Sequence, residues 1–553
     1  MTDAFTLAIA QINPTVGDVA GNVAKIRDFR ARAANSGADL VVFPELAVAG
    51  YQPEDLVLKP AFHDACRAAV EALAADTEDG GPATIVGAPM AENGKVFNAA
   101  LLLDAGKVVA RRDKQDLPNY GVFDDKRVFA AGPPQGPVAF RGLRLGLMIC
   151  EDMWTPEVAE TLHESGAELL LVINGSPYES DKIDERVQLA VARVVETELP
   201  LVYVNQVGGQ DEVVFDGASF ALGADRGLRA QAASFAEDLV LTRWTRGGGG
   251  WTCAPASIAK APSGEEAIYA ALVVGLGDYV NKNRFPGVIL GLSGGIDSAL
   301  TAAIAVDALG AERVRAVMMP SPYTGRESLE DAALCAQALG IRYDTISIEP
   351  AMQAFGAMLA GQFAGTNADI TEENLQSRCR GLTLMALSNK FGHMVVSTGN
   401  KSEMSVGYAT LYGDMCGGYA VLKDVYKTAV FGLCRWRNAH RRDGWKGPAG
   451  GVMPARVIAK PPSAELKPDQ TDEASLGPYA RLDDILQCLI EHEMRVEEIV
   501  ARGHDRAYVH RVWRMLDLAE YKRRQAPPGV KISRRAFGRD RRYPITNGFK
   551  APR

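Results

Sequence analysis

The sequence lacks the cysteine patterns that mark disulfide-stabilised and zinc-binding proteins. Its eight cysteines are scattered over 553 residues, without a Cys-x-x-Cys pair and without regular spacing. This usage argues against a disulfide framework and against a structural zinc site. A cysteine of this chain is therefore more interesting as a single reactive thiol than as part of a set.

The N-terminal residues do not show the pattern expected of a secretory leader. The first 18 residues, MTDAFTLAIAQINPTVGD, carry no basic segment ahead of their short apolar run, which favours a first strand over a signal peptide. With 47% hydrophobic and 23% charged residues, the composition is typical of a globular protein, and nothing in it suggests a membrane. We expect a cytoplasmic protein with no membrane partner.

An excess of positive charge is absent too. The formal net charge of −8 disfavours general nucleic-acid binding, so we expect no nucleic-acid partner. The segment from Lys522 to Arg542 is an exception, with nine Lys and Arg residues against one Asp. We expect some of these cations to face bound anions and most of them to be solvated.

The length predicts more than one domain, because a single hydrophobic core rarely serves 553 residues. Short apolar runs alternate with amphipathic stretches from Phe5 to about Leu222, which predicts an α/β domain. The segment RGGGGWTCAPASIAKAPSG is rich in glycine, proline and small residues and predicts a linker. We therefore predict a first domain at 1–245, a linker at 246–264 and a second domain at 265–553.

The second domain shows a regular alternation of strand and helix. A helical stretch from Glu265 to Lys282 precedes the apolar run GVILG, and strands RVRAVMMPS and YDTISIE follow, each separated from the next by a helical stretch. This order predicts a doubly wound parallel sheet. The segment 438–462 is rich in Gly, Pro, Lys and Arg and predicts an irregular excursion.

Three residues with chemical potential end three predicted strands of the first domain. Glu45, Lys114 and Cys150 follow LVVFP, KVVARRD and GLMI. Each alone has an ordinary structural explanation, since a lone Cys at a strand end is usually a small buried hydrophobe. Together they offer a nucleophile, a carboxylate base, and a cation that lowers the thiol pKa and stabilises an oxyanion. Such a set could cleave a carbon–nitrogen bond through a thioester.

The motifs FPELAVAGY, DKQDLPNYGVFDDKRVF, MICEDMW and NGSPYESDK resemble those of the nitrilase-type amidases. This resemblance implies an αββα sandwich with a Glu-Lys-Cys triad. In the glutamine-hydrolysing members, matching positions contact glutamine, and here they are Tyr120, Ser176 and Lys182. A second carboxylate is commonly a glutamate in that family. This chain has Asp125 there, and a role in orienting Lys114 is the expectation.

The stretch GLSGGIDS resembles a phosphate-binding loop without its lysine. A backbone nest at a helix N-terminus, two serines and Asp297 remain, and an aspartate beside phosphate is repulsive unless a metal lies between them. We therefore interpret Asp297 as a Mg²⁺ ligand. A tight turn that closes against the sheet is the structural alternative. The predicted nucleotide-binding residues of the loop are Gly291, Leu292, Ser293, Gly294, Gly295, Ile296, Asp297 and Ser298.

The loop resembles that of the ATP pyrophosphatases, which transfer AMP to a substrate and release pyrophosphate. Later motifs narrow the resemblance to the NAD synthetases, and the amidase half narrows it further to their glutamine-dependent form. These motifs include ENLQSRCRG, VVSTGNKSEMSVGYATLYGD, KPPSAELKPDQTDEASLGPY and EYKRRQAPPGVKISRRAFGRDRRYPITNGF. The implied second domain is adenine nucleotide alpha hydrolase-like.

The resemblance implies roles for single residues of the second domain. Thr398, Lys427 and Ser463 would contact ATP, although Ser463 alone is more typical of a solvated side chain. Asn374, Arg378 and Lys522 would contact deamido-NAD. Glu403 would lie near the nicotinate or bind the metal, and with Asp297 it would form a two-carboxylate Mg²⁺ site.

The expected reaction is the amidation of deamido-NAD to NAD through an adenylated intermediate, with ammonia from glutamine. The small-molecule partners are glutamine, ATP and deamido-NAD, and Mg²⁺ is the expected cofactor. The resemblance also implies a homo-oligomer with a dimeric synthetase core, in some members an octamer.

Two alternatives stay open. A tRNA-modifying pyrophosphatase would account for the basic tail, and salt-sensitive tRNA binding would favour it. A nucleotide sensor without turnover would keep the fold, but the presence of Glu45, Lys114, Cys150, Asp297 and Glu403 argues against it.

Overall fold

The computed structural model describes residues 3–180, 182–467 and 470–549. The chain divides into two compact units, Met1–Pro262 and Ser263–Arg553. In the described part of the chain, no helix is both long and apolar enough to cross a membrane.

The first unit is built on two large sheets. One has seven strands in the order β15-β14-β1-β2-β3-β4-β5, the other has six in the order β13-β12-β9-β8-β7-β6, and β10 pairs with β11 in a small ribbon. The strands are β1 (Ala4–Gln11), β2 (Leu40–Val42), β3 (Ala83–Glu92), β4 (Lys95–Asp104), β5 (Lys107–Asp113), β6 (Val138–Phe140), β7 (Leu143–Ile149), β8 (Leu169–Asn174), β9 (Leu201–Asn205), β10 (Val207–Gln210), β11 (Val213–Asp216), β12 (Phe220–Leu222), β13 (Leu228–Gln231), β14 (Asp238–Gly247) and β15 (Gly250–Cys253).

The helices of this unit are α1 (Val19–Asn35), α2 (Pro60–Ala75), α3 (Asp125–Val128), α4 (Pro156–Glu164) and α5 (Lys182–Thr197). Because strand side chains alternate between faces, β1 sends Leu7 and Ile9 into a core shared by both sheets and Ala8 into a core with α1 and α2. On the other sheet, Met148 and Leu170 pack against α4 and α5. The layers are therefore α, β, β, α, and the predicted sandwich is confirmed.

The predicted linker at 246–264 is wrong in its first part. β14 extends to Gly247 and forms a hairpin with β15, which pairs Trp244 with Cys253. Trp251 and Cys253 lie on the face buried between the two sheets. The glycines form the hairpin turn, so a composition typical of a linker here closes the edge of a sheet.

The second unit contains a five-stranded sheet in the order β18-β17-β16-β19-β20, and every pairing in it is parallel. Its strands are β16 (Val288–Gly291), β17 (Val314–Met318), β18 (Arg342–Thr345), β19 (Met394–Ser397) and β20 (Tyr419–Ala420). The chain starts at the centre and builds outward on both sides, which confirms the predicted doubly wound sheet. The switch point lies between β16 and β19, where ligands usually bind in this architecture.

Helices surround this sheet and extend beyond it. They are α6 (Gly264–Lys282), α7 (Ile296–Leu309), α8 (Arg326–Leu339), α9 (Glu349–Leu359), α10 (Ile370–Phe391), α11 (Lys401–Val406), α12 (Lys427–Ala439), α13 (Ala455–Ala459), α14 (Asp472–Leu476), α15 (Tyr479–Ile490), α16 (Val496–Ala501), α17 (Arg506–Leu518) and α18 (Glu520–Arg523). α11, α15, α16 and α17 share a separate hydrophobic core.

The basic tail differs from the expectation of solvated cations. Arg523 and Arg541 both contact the buried carboxylate of Glu520, at 2.7 and 3.0 Å. Lys531 is buried and lies 3.0 Å from Asp540. These cations are internal because acidic partners accompany them, and a count of net charge does not reveal such pairing.

Candidate active sites

The predicted triad of the first unit comes together in its interior. Glu45 lies beyond β2, Lys114 directly follows β5 and Cys150 directly follows β7. Lys114 Nζ lies 2.8 Å from Glu45 Oε1 and 2.9 Å from Asp125 Oδ2, and all of these side chains are buried. Asp125 therefore contacts the lysine, as its expected orienting role requires.

Glu45 is held by further donors that the sequence did not reveal. Asn98 Nδ2 donates to Glu45 Oε1 at 2.7 Å, and the Gly175 amide donates to Oε2 at 2.8 Å. Gly87 allows the backbone to come close, because a Cβ there would lie 2.2 Å from the Leu46 nitrogen. The carboxylate is thus fixed before any substrate binds, which favours a role in proton transfer.

Cys150 sits on a tight turn that is fixed by Asp152. The cysteine has a left-handed backbone with φ of 48°, a strained conformation for a residue with a side chain. Asp152 accepts from the amides of Ile149, Gln115 and Asp116 at 3.0, 3.0 and 2.8 Å. One carboxylate therefore ties the turn of the nucleophile to the loop that follows Lys114.

The electrostatics of this site differ from the expectation that a neighbouring cation lowers the pKa of the thiol. Burial raises the pKa of the Cys150 thiol well above its ordinary value, Glu45 raises it further, and Lys114 only partly opposes them. For Lys114, burial acts to lower the pKa, but Asp125 and Glu45 together raise it well above its ordinary value. The resting pair is a neutral thiol and an ammonium, so the thiol needs a base when it reacts.

Two of the predicted glutamine contacts influence Glu151, the acidic residue next to the nucleophile. The Tyr120 hydroxyl lies 3.0 Å from both carboxylate oxygens of Glu151. Lys182 lies with its ammonium 5.6 Å from the ring centroids of both Phe123 and Trp154. Burial raises the pKa of Glu151, while Tyr120, Lys114 and Lys182 act to lower it. Glu151 stands within the MICEDMW motif, but nothing in its sequence context marks it as a functional residue.

Ser176, the third predicted contact, lies two residues beyond β8 and is engaged by a buried arginine. Arg186 Nε donates to Ser176 Oγ at 3.0 Å, and its Nη1 lies 2.7 Å from Asp216 Oδ1. The Ser176 amide donates to Asn205 Oδ1 at 2.9 Å. Ser176 is therefore fixed in place by two buried polar side chains.

In the second unit, the loop after β16 has the geometry of an anion-binding turn. Gly294 has φ of 82°, and a Cβ there would lie 2.3 Å from the Ser328 carbonyl, so only glycine fits. The hydroxyls of Ser293 and Ser298 lie 3.2 Å apart, and α7 begins immediately after the turn. Within the turn, the Ser293 amide donates to Ser298 Oγ at 3.2 Å and the Gly295 amide donates to Ser293 Oγ at 3.3 Å. The positive end of the α7 dipole at this position favours an anion.

Two predicted carboxylates converge on Lys427 beside this loop. The Lys427 ammonium pairs with Asp297 Oδ2 and lies 3.2 Å from Glu403 Oε1, and Asn400 Nδ2 donates to Asp297 Oδ1 at 2.8 Å. Burial raises the pKa of Glu403 to about 8; Lys427 opposes this, and Asp297 and Asp472 add to it. Within residues 3–180, 182–467 and 470–549, no three His, Cys, Asp or Glu side chains form a ready metal cluster. Any bound Mg²⁺ would need phosphate or water oxygens as further ligands.

A cavity of about 370 Å³ joins these groups into one site. Its walls include every residue predicted to contact ATP, namely 291–298, Thr398, Lys427 and Ser463, and three of the four predicted to contact deamido-NAD, namely Asn374, Glu403 and Lys522.

Arg378 is the exception, because the structure does not bring it to this cavity. It is exposed, and its Nε donates to the Leu411 carbonyl at 3.3 Å. Arg380, two residues along α10, lines the cavity instead and donates to the Met319 carbonyl at 3.1 Å. Two positions along a helix differ by about 200° in direction, so the two arginines of SRCR cannot share a face.

Three predicted contacts also support the loops around the cavity. Lys522 Nζ donates to the carbonyls of Gly407 and Ala409 at 2.8 and 2.7 Å. The Asn374 side chain accepts from Thr410 Oγ1 at 2.8 Å, and Ser463 Oγ accepts from the Glu465 amide at 3.2 Å. The cavity wall also includes polar residues that the sequence did not predict, among them Arg380, Lys460, Glu465 and Asp472.

A buried Cys-Glu-Lys set in an αββα sandwich, joined in one chain to a nucleotide-type loop at a switch point, defines a two-domain amidotransferase of the synthetase class. Known proteins carry the same pair of domains. Residues 6–247 match the carbon-nitrogen hydrolase family, and residues 268–526 match the NAD synthase family.

Curated relatives are similar to this chain over all or nearly all of its length. The glutamine-dependent NAD(+) synthetase of Rhodobacter capsulatus is 50% identical over 550 residues, which cover 100% of both chains. That of Xanthomonas campestris is 48% identical and covers 98% of this chain and 97% of its own. A solved structure of the enzyme from Acinetobacter baumannii, in complex with ADP, has a TM-score of 0.78 at 43% identity and covers 100% of both chains. The chain belongs to the glutamine-dependent NAD(+) synthetases.

Proposed function

We propose that this protein converts deamido-NAD to NAD, using ATP and the amide nitrogen of glutamine. The observation that carries the proposal is the presence of both chemistries in one chain. A Cys-Glu-Lys set occupies the first unit, and a lysine-free nucleotide loop with two carboxylates occupies the second. Full-length relatives of the same domain order support the assignment of substrate.

In the first unit, Cys150 is the proposed nucleophile. Because burial keeps the pKa of its thiol high, Glu45 must take the proton as the sulfur attacks the side-chain amide of glutamine. The Lys114 ammonium, fixed by Glu45 and Asp125, then stabilises the negative charge on the carbonyl oxygen. Glu45 returns the proton to the leaving ammonia, and water releases glutamate from the thioester.

The charges around the thiol match a zwitterionic amino acid. The Lys182 ammonium suits the α-carboxylate of glutamine, and Glu151 with the Tyr120 hydroxyl suits its α-ammonium group. The Ser176 hydroxyl, positioned by Arg186, supplies a further donor. These contacts would distinguish free glutamine from an amide without charges.

In the second unit, the loop 291–298 and Lys427 are the proposed cradle for the phosphates of ATP. The residues present also fit Mg²⁺, because Asp297 and Glu403 place two carboxylates at the cavity wall. Burial, with a smaller contribution from Asp297, raises the pKa of Glu403 to about 8, so a bound cation would favour its ionised form. Bound there by Asp297 and Glu403, Mg²⁺ would neutralise charge on the leaving pyrophosphate.

The remaining wall residues suit the dinucleotide. Asn374 and Lys522 present an amide and an ammonium to the cavity, and Thr398 follows β19 at the switch point. The nicotinate carboxylate of deamido-NAD attacks the α-phosphorus of ATP and displaces pyrophosphate. Ammonia then attacks the acyl carbon and displaces AMP, which leaves the amide of NAD.

We further propose a homo-oligomer built on the second unit. α9 has no buried residue, and Met358, Ile370 and Leu382 on α9 and α10 are 71, 66 and 63% exposed. Exposed apolar side chains on adjoining helices are typical of a subunit interface. Sedimentation of the full chain tests this, and a monomer at micromolar concentration contradicts it.

The function is tested by assay of NAD formation from deamido-NAD, ATP and Mg²⁺, with either glutamine or ammonia as nitrogen donor. We expect Cys150→Ala to lose only the glutamine-dependent reaction. Cys66→Ala, at another buried free thiol, is the matched control and should keep both. The absence of NAD with either donor, or glutamine-dependent activity in Cys150→Ala, contradicts the proposal.

A further inference from the structure

The first turn of α11 delivers Glu403 to the nucleotide cavity, and the residue that caps it, Asn400, reaches Asp297 in the cavity wall. Asn400 caps the helix, with its Oδ1 accepting from the Glu403 amide at 3.0 Å. The Glu403 carboxylate accepts in return from the Asn400 amide at 3.4 Å. Asn400 Nδ2 also donates to Asp297 Oδ1 at 2.8 Å. The position of this turn therefore sets how Asn400 and Glu403 meet Asp297.

Lys401 belongs to the same turn, but its ammonium contacts a different set of groups. The side chain has no exposed surface, and Nζ lies 2.7 Å from Asp424 Oδ1 and 2.5 Å from Glu491 Oε1. Nζ also lies 2.8 Å from both Ser533 Oγ and the Arg535 carbonyl. Four acceptors surround three N–H groups, so this buried charge is fully satisfied.

The two carboxylates around Lys401 also hold the C-terminal tail, defined here as residues 524–549. Asp424 Oδ2 accepts from the amides of Ile532 and Ser533 at 2.8 and 2.7 Å, and its Oδ1 accepts from Ser533 Oγ at 2.9 Å. Glu491 Oε2 accepts from the Arg535 amide at 3.1 Å. The tail at 532–535 is thus bound to the same charges that hold Lys401.

The other end of α11 is held by cations that precede the tail. Arg523 Nη1 donates to the carbonyls of Met404 and Ser405 at 3.3 and 2.7 Å. Lys522 Nζ donates to the carbonyls of Gly407 and Ala409. The Met404 and Ser405 carbonyls belong to the last turn of α11, where carbonyls lack partners within the helix, and Gly407 and Ala409 follow that turn. The short helix is therefore fixed at both ends by residues far along the chain.

We propose that Lys401 is a positioning residue for the synthetase reaction. It couples the packed tail to the turn that presents Asn400 and Glu403, so the nucleotide cavity takes its working geometry only when the tail is docked. This inference rests on the proposed function for its substrates, but its structural part, the docking of the tail, is measurable without turnover.

A buried ion pair could also serve general stability alone, and the second unit offers a matched control. Arg437 Nε lies 2.6 Å from Asp307 Oδ2, and neither side chain is exposed. Arg437 also donates to the carbonyls of Pro448 and Gly450, and neither member of the pair lines the nucleotide cavity. Loss of Arg437 should therefore destabilise the fold without a specific effect on nucleotide binding.

The experiment compares Lys401→Met, Lys401→Arg, Ser533→Ala and Arg437→Met in the full chain. For each, the KM for ATP, the Mg²⁺ concentration for half-maximal rate and kcat are measured with ammonia as donor. Hydrogen exchange of the tail amides and calorimetric titration with ATP are measured without turnover. We expect Lys401→Met to raise the KM for ATP and the half-saturating Mg²⁺ by about tenfold or more, because small displacements of positioned groups cost rate and affinity steeply.

Tail amides should exchange faster in the same variant, and Lys401→Arg should recover part of both effects. Arg437→Met should lower the melting temperature with an unchanged KM for ATP.

A folded Lys401→Met with wild-type KM, Mg²⁺ dependence and ATP binding overturns the inference, as does faster tail exchange without those changes. If Lys401→Met does not fold, Ser533→Ala decides, with a rise of about threefold expected and wild-type values overturning the inference. A wild-type chain that makes no NAD contradicts the proposed function instead, and the exchange and titration data still decide the role of Lys401.

Discussion

Lys114 and Glu45 form an ion pair that has no exposure to solvent, with 2.8 Å between Nζ and Oε1. Asp125 completes the arrangement at 2.9 Å from the same ammonium. Two carboxylates in a protein interior depend on this one cation. Removal of one partner of a buried pair costs far more than loss of a surface pair, because a charge stays behind without compensation.

We therefore expect Lys114→Met to lower the free energy of unfolding by about 3–5 kcal/mol, with loss of glutamine hydrolysis. Chemical denaturation measures the first effect and glutamate release the second. Lys107→Met, at an exposed lysine of the preceding strand, is the control and should change stability by less than about 0.5 kcal/mol. A stable Lys114→Met that still releases glutamate would contradict the proposed role.

We expect Asp152 to give the stability of the protein a specific dependence on pH. Burial raises its pKa from 3.8 to about 6, although three backbone amides act to lower it. Because the folded pKa is the higher one, the folded state binds more protons between these two values, and stability falls as the pH rises through this range. Above about pH 6 the destabilising contribution is complete and constant.

Asp152→Asn should flatten this part of the stability profile. One proton accounts for about 1.4 kcal/mol per pH unit, so the slope of the unfolding free energy between pH 4 and pH 6 should change by about that amount. Urea denaturation across this range provides the measurement, with exposed Asp28→Asn as the control for loss of a surface carboxylate. Identical slopes in wild type and Asp152→Asn would refute the assignment.

Glutamine hydrolysis should respond in the opposite direction to stability. The ionised carboxylate holds the amides of Ile149 and Gln115, next to Cys150 and Lys114, so protonation loosens both catalytic residues. We expect kcat for glutamate release to fall as the pH drops through about 6. In Asp152→Asn, the remaining activity should no longer show this limb of the pH profile.

Sequence patterns predicted the triad because each member follows an apolar run. Glu45, Lys114 and Cys150 come after β2, β5 and β7, and apolar runs are clear signals for buried strands. The donors to Glu45 could not be found in this way. Asn98 lies inside β4 and Gly175 follows β8, so their approach to Glu45 depends on strand neighbours that only the three-dimensional structure reveals.

Charge and composition predicted the structure of a segment less reliably than the spacing of its apolar residues did. Asp540 and Glu520 neutralise cations of the basic tail from inside the protein, and a net charge does not distinguish buried pairs from solvated side chains. The glycines at 247–250 form a hairpin turn, and in the strand after them the buried Trp251 and Cys253 alternate with exposed residues. This alternation of two apolar residues was the only sequence signal for the strand, and the glycine-rich composition before it pointed to a linker instead.

We expect substitution of Lys427 to weaken the binding of nucleotide strongly. Its ammonium lies between Asp297 and Glu403, and Lys427→Met would leave these two carboxylates facing the phosphates without compensation. Charge-assisted hydrogen bonds contribute about 1.5–3 kcal/mol, so we expect the KM for ATP to rise roughly 10- to 150-fold. Steady-state kinetics with ammonia as donor measure it, and exposed Lys390→Met is the control.

Arg380 and Arg378 provide a paired test of the cavity, since they are alike in sequence context and differ in placement. Arg380 lines the cavity, and burial lowers the pKa of its guanidinium, whereas Arg378 is exposed and donates to the Leu411 carbonyl. A half-buried guanidinium that contacts an anionic ligand is worth about 1.5–3 kcal/mol, so Arg380→Met should raise the KM for ATP or deamido-NAD by at least about tenfold. Arg378→Met should change these values by less than about threefold, because an exposed contact contributes little. Kinetics of the two variants with both substrates decide the matter, and a larger effect at Arg378 would mean that the substrate is bound outside the cavity.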